Sequence, residues 1–136
     1  MRLDELAVGQ WAEHAKSVTD ADVVLFAGVT GDFNPVHVDA EAAARSMFGG
    51  RIAHGMLSAG LISAAIAMRL PGPGSIYLSQ TLRFTKPVRI GDTVTARVEV
   101  LEVIAAKHRV RLATTCRNQH GEVVLDGEAT VLVPDG

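Results

Sequence analysis

Between Thr30 and His37 the chain reads Thr-Gly-Asp-Phe-Asn-Pro-Val-His. A carboxylate (Asp32), an amide (Asn34) and an imidazole (His37) fall within six residues around Pro35. The apolar run VVLFAGV precedes them and the alanine-rich EAAAR follows. Polar groups set against apolar walls are where proteins shift pKa values and fix water molecules. Asp32 and His37 form a pair able to hold, deprotonate and reprotonate one water. Taken alone, each has a plainer alternative: an Asx turn at Asp32, and a hydrogen-bonded core position for His37. Asn34-Pro35 is structural under either reading, because proline fixes the turn and the amide satisfies loop backbone. A metal trio of Asp32, His37 and His54 has no diagnostic ligand spacing, so no metal is expected.

Several elements must position this loop. Thr19 or Asp20 can cap a helix that runs through Phe26 and ends near Gly28 or Gly31, with acidic residues suiting its first turn. Asp39 caps a short helix over Ala40 to Met47, stopped by Gly49-Gly50. His54 to Leu70, HGMLSAGLISAAIAMRL, is apolar nearly all round and reads as a buried helix roughly 25 Å long. Pro71-Gly72-Pro73-Gly74 stops it.

Strand patterns dominate the rest. Trp11 to Val18 alternates loosely. Ser75 to Pro87, Asp92 to Ile104, Lys107 to Asn118 and Val123 to Val133 follow, with a hairpin turn expected at Gln119-His120-Gly121. Val94, Ala96, Val98 and Val100 alternate with Thr95, Arg97 and Glu99; Val110, Leu112, Thr114 and Cys116 alternate with Arg109, Arg111 and Thr115. Four consecutive strands imply an antiparallel sheet joined by short turns, and with the helix an α+β domain. One curved sheet of this size leaves a side of so apolar a helix poorly covered. A partner subunit is therefore expected, most simply in a twofold homodimer.

Size and composition set bounds. The 136 residues suit one domain spanning 1–136, and 48% hydrophobic content suffices for a core. Only 4% is aromatic, so that core must be mostly Ala, Val, Leu and Ile. A net charge of −2 without Lys/Arg clusters excludes a nucleic-acid footprint. The single cysteine, Cys116, excludes an internal disulfide and fits a reducing cytoplasm. The N-terminus is too polar for a signal peptide, and Met56 to Met68 is short for a membrane span.

The stretch Phe26 to His37, followed by Ala42 and Ala43, resembles the hydratase motif of MaoC-like proteins, the (R)-specific enoyl-CoA hydratases of the hot-dog fold. Further resemblances follow in register: Ala53-His54-Gly55-Met56 to the start of that family's central helix, Leu70 to Leu78 to the turn and strand after it, and Phe84 to Asp92 to a strand-to-strand corner. Together they cover nearly the whole chain. The resemblance is closest to the short hydratases that feed polyhydroxyalkanoate synthesis. It implies a hot-dog fold, a long central helix wrapped by an antiparallel β-sheet. It also implies reversible addition of water to a trans-2-enoyl-CoA, giving an (R)-3-hydroxyacyl-CoA, with four- to six-carbon acyl groups as the default.

By the same resemblance, Asp32 and His37 are the catalytic pair and Asn34 orients the loop or holds the histidine. The Gly55 N–H binds the thioester oxygen, and Ser63 hydrogen-bonds near Asp32. No cofactor is implied, coenzyme A being part of the substrate. The chemistry agrees: water must lose a proton as it attacks C3, the thioester oxygen must be stabilised, and C2 must gain a proton. A free N–H at a helix N-terminus suits the second task. Alternative readings are a 3-hydroxyacyl carrier-protein dehydratase, a hot-dog thioesterase needing Ser58 or Ser63, and a non-catalytic acyl-CoA-binding module. His54 reads as structural, a candidate helix cap. Ser63 could equally bond back to its own turn. Arg83, Lys86 and Arg89 read as a solvated rim.

Overall fold

The structure, a computed structural model, describes residues 1–134. Strand β1 (Trp11–Ser17) leads into helix α1 (Asp20–Thr30). Thr19 starts α1 with a capping box: its hydroxyl accepts from the Asp22 N–H, and the Asp22 carboxylate accepts from the Thr19 N–H. Gly31 ends the helix at φ 82°, a left-handed conformation that glycine adopts without cost, so α1 runs to the later of the two expected stops. Two short helices follow, α2 (Pro35–Val38) and α3 (Ala40–Ala44). The single turn α2 lies where the sequence suggests only a proline turn. Helix α3 stops three residues before the expected Met47.

Helix α4 (Gly55–Met68) is the long apolar helix. Strands β2 (Ile76–Gln80), β3 (Arg83–Phe84), β4 (Thr93–Ile104), β5 (Arg109–Arg117) and β6 (Val123–Leu132) complete the elements. The expected strand over 75–87 is two pieces, because the chain bends at Thr81 and passes over Gly127. A Cβ at Gly127 would run into the Thr81 carbonyl.

All strands join one antiparallel sheet in the order β1-β4-β5-β6-β2, with β3 also on β6. The expected meander holds only for β4, β5 and β6. Strand β2 crosses to the far edge and pairs with β6 rather than β4. Gln80 pins it there, donating to the hydroxyl of buried Thr114 on β5 at 2.8 Å.

The inner face follows the alternation in the sequence. Val94, Ala96, Val98 and Val100 of β4 and Val110, Leu112 and Cys116 of β5 are buried beneath α4. A register shift between Val100 and Glu102 ends the pattern and leaves Leu101 exposed. Helix α4 lays Leu57, Leu61, Ile62, Ala65 and Ile66 on this face, each large side chain gaining about 1.5–3 kcal/mol from burial. Its other side is open: Met56 and Met68 are 55% and 71% exposed. Ile76 and Leu78 of the edge strand β2 are exposed too. This is the hot-dog architecture, with the helix cradled by the sheet. Among the described residues no helix is long and apolar enough to cross a membrane.

Candidate active site

The site is built where three chain segments meet: the α1–α2 turn, helix α2, and residues 51–54 leading into α4. Asn34 is the cap of α2. Its Oδ1 accepts from the Val36 N–H at 3.3 Å, and Pro35 takes the first helical position, where its missing N–H costs nothing. That single helical turn aims His37 inward, leaving it 9% exposed. Asp32 precedes the cap in an Asx turn, its Oδ1 accepting from the Asn34 N–H at 3.2 Å, while the carboxylate stays exposed. The Asx turn that is the plainer alternative at Asp32 is therefore present, and it leaves the second carboxylate oxygen without a hydrogen-bond partner among the described residues.

Residues 51–54 lie beside α2 and hold it. Ile52 donates its N–H to the Val36 carbonyl at 3.2 Å and receives the His37 Nδ1–H on its own carbonyl at 2.7 Å. A carbonyl only accepts, so His37 carries a proton on Nδ1, and Nε2 is the nitrogen left to face the cavity. Arg51 adds a clamp from its Nε to the His37 carbonyl at 2.6 Å and from Nη1 to Asp20 at 2.7 Å, tying α2 to the start of α1. Neither Arg51 nor the Ile52 carbonyl is marked by any sequence pattern.

His54 is 2% exposed. It occupies the N-cap position of α4, but its side chain makes no cap bond. Instead its Nε2–H reaches back 22 residues to the backbone carbonyl of Asp32 at 2.9 Å. Its ring stacks on His37 with centroids 3.9 Å apart and planes at 30°, and Phe26 packs on it at 4.7 Å. Ligand atoms of Asp32, His37 and His54 all lie within 4.8 Å of one another. One ion would need both imidazole lone pairs to converge at ~2.0–2.1 Å. Rings stacked nearly parallel run side by side, a geometry that suits a packed pair better than two ligands of one metal.

Gly55 opens α4. With no side-chain cap, its N–H has no hydrogen-bond partner among the described residues. A Cβ at this position would come within 2.5 Å of the Phe84 ring, so glycine is what lets Phe84 lie against the helix end. Gly55, His37, Ser58 and Phe84 line one cavity of about 410 Å³, walled otherwise mostly by apolar groups such as Ile52, Phe48 and Leu125. Lys86 stands on its wall and pairs with Glu122; Arg83 pairs with Asp126 at 3.6 Å.

The fold thus gathers Asp32, Asn34, His37 and Gly55. It places Ser63 elsewhere. Ser63 faces a second groove of about 450 Å³ between α4 and β2, with Met56, Tyr77 and Leu78, and no hydrogen bond joins it to Asp32 among the described residues. The helix serine that reaches the His37 cavity is Ser58, 2% exposed, whose hydroxyl has no partner among the described residues. Beneath it, the Cys116 thiol donates to the Ser58 carbonyl at 3.6 Å, and burial pushes that thiol up to about 12.

Residues 7–122 match the family model for the MaoC like domain. Over 131 residues the chain is 55% identical to a 3-hydroxybutyryl-CoA dehydratase of Methylorubrum extorquens, covering 96% of this chain and 83% of that protein. It is 52% identical to an (R)-specific enoyl-CoA hydratase of Rhodospirillum rubrum, covering 96% and 90%. Among solved structures, an unliganded R-hydratase of Pseudomonas aeruginosa superposes with a TM-score of 0.94 at 56% identity, covering 99% of this chain and 86% of the other.

Proposed function

The chain belongs to the MaoC-like domain family, and from that premise we propose that it is an (R)-specific enoyl-CoA hydratase that reversibly adds water to short trans-2-enoyl-CoA thioesters. One observation carries the reading: the His37 Nδ1–H is held by the Ile52 carbonyl, which leaves Nε2 free, a ligand atom of His37 lies within 4.8 Å of the Asp32 carboxylate, and His37 and the uncapped Gly55 line one cavity.

The residues divide the chemistry as follows. Asp32 and His37 Nε2 grip one water between them. Asp32 takes its proton as the oxygen attacks C3, while His37 orients the water and helps return a proton to C2. Charge developing on the thioester oxygen meets the Gly55 N–H at the positive end of α4, a type of donor that supplies about 3 kcal/mol of transition-state stabilisation. Asn34 acts by capping the turn that carries His37. Each step has a side chain or backbone group to perform it, so the reaction calls for no cofactor beyond the coenzyme A of the substrate. The modest, apolar cavity suits a short acyl chain, in keeping with the hydroxybutyryl substrate in the name of the Methylorubrum relative.

The open flank of α4 and β2 supports a homodimer. A second copy seated there would cover Met56, Met68, Ile76 and Leu78 and would bring a partner surface to the Ser63 groove. A lone, buried cysteine fits a reducing cytoplasm. The deciding experiment is hydration of crotonyl-CoA, followed by loss of the conjugated thioester absorbance, with chiral analysis of the product. An (R)-3-hydroxybutyryl product is expected; an (S) product overturns the reading. The same assay with crotonyl carrier protein separates a carrier-protein dehydratase from a coenzyme A enzyme.

A further inference from the structure

Stability alone does not account for a histidine at position 54. The His54 Nε2–H donates to the Asp32 carbonyl, so its other nitrogen, Nδ1, bears a lone pair, and that atom is buried without a partner among the described residues. Unmet buried polar atoms are costly and rare in native proteins. A phenylalanine would stack on His37 and Phe26 without one. Departures from the packing rule tend to fall at functional sites, where something other than packing is being served.

Its contacts say what that is. One edge of the His54 ring holds the main chain of Asp32 at 2.9 Å, and its face holds the ring of His37 at 3.9 Å. The next residue is Gly55. His54 therefore touches both members of the water-gripping pair and is covalently joined to the residue whose N–H faces the thioester oxygen. Asp32 has little else to fix it. It is exposed, it sits on the turn between two helices, and among the described residues its other bonds run to its neighbours Thr30 and Asn34.

We infer that His54 is a positioning residue: its Nε2–H sets the distance between the Asp32 carboxylate and His37 Nε2, and its ring face sets the plane of His37. Asp32 does the proton transfer, and His54 keeps it within reach. Misplacing a reacting group by about 1 Å costs on the order of 10²-fold in rate. This inference rests on the assignment of Asp32 and His37 as the catalytic pair.

The test is a set of His54 variants assayed with crotonyl-CoA beside wild type, Asp32→Asn and His37→Gln. His54→Phe keeps the stack and removes the donor. It is expected to melt no lower than wild type, to lose ~10²-fold in kcat and to leave KM within about twofold. His54→Gln places an amide N–H where Nε2–H stood and should recover about tenfold of that loss, whereas the shorter His54→Asn should not. A His54→Phe enzyme with wild-type kcat, or one whose deficit lies in KM, overturns the inference. Should His54→Phe fail to fold, equal kcat values for the Gln and Asn variants overturn it. If Asp32→Asn and His37→Gln are themselves fully active, the catalytic assignment has failed. If they are inactive while His54→Phe is not, only the role of His54 has.

Discussion

The two ends of α4 differ in how completely the chain satisfies itself. Along the middle and C-terminal part of the helix, Ile62, Ala65 and Ile66 are fully packed on the sheet and carry no polar demand. At the N-terminal end, unmet groups crowd together: the Gly55 N–H, His54 Nδ1 and the Ser58 hydroxyl, all within the first turn or its cap. One end is finished by the fold. The other is left open on its chemical side, and the fold supports it from behind with the Ile52 carbonyl and the Arg51 clamp. The difference teaches that rigidity and unsatisfied valence are built into separate stretches of a single helix, so each can be altered with a different readout.

The strongest way to break the open end is to remove its proton chemistry. Asp32→Asn and His37→Gln should each lose ~10²–10⁴-fold in kcat for crotonyl-CoA hydration while folding normally. Steady-state kinetics and thermal melts on the same samples check this, and near-normal kcat in either variant sinks the assignment. Next in size, Gly55→Ala forces the Phe84 ring aside. Because Phe84 is half exposed it can swing away, so the fold should survive; with the proposed oxyanion role of the Gly55 N–H, kcat should fall on the order of tenfold or more as the thioester is displaced from that donor. Retention of wild-type kcat/KM would show that Gly55 only packs.

The finished end should respond in the opposite currency. Ile62→Ala leaves a cavity under the helix and should cost about 2–5 kcal/mol in urea unfolding, with kcat per folded molecule nearly unchanged. A large loss of kcat there would mean that the two ends are coupled. The smallest effect concerns alkaline pH. Burial holds the Cys116 thiol near 12, and burial together with the nearby Cys116 raises the Tyr77 hydroxyl to about 12 as well. Both exceed their unfolded values of about 8.5 and 10. The native state therefore keeps protons that the unfolded chain has released. Stability should be unaffected below about pH 8 and should decline as pH rises toward 12. Urea midpoints measured up the alkaline range should fall less steeply in Cys116→Ala; an unchanged slope would show that the thiol carries no such linkage.

Much of this asymmetry is legible in the sequence. The Asp-Phe-Asn-Pro-Val-His run marks the loop, the unbroken apolar stretch marks α4, and strict alternation marks the buried faces of β4 and β5. What is not legible depends on contacts between distant residues. Nothing local tells β2 to pair with β6 rather than with β4, since pairing is decided by how faces stack in three dimensions. The reach from His54 to Asp32 spans 22 residues. The two helix serines show the same difficulty. Ser58 and Ser63 sit five residues apart, about 140° around the axis, so they face different cavities. On a helix apolar all round, no polar stripe indicates which of those sides meets His37.

Strand β2 has a final consequence. It is the end of the sheet, with Ile76 and Leu78 exposed and one row of backbone N–H and C=O groups facing outward. A bare edge with exposed apolar side chains is a template onto which an extended chain can add, and natural sheets guard such edges because they seed aggregation. No lysine or proline interrupts Ile76–Gln80. A single copy with this edge uncovered thus carries its own hazard. On the proposed homodimer, concentration should accordingly act in two directions: a second copy seated over this strand would shield the edge, and unfolding stress that strips the cover would turn the same strand into a nucleus for disordered assembly.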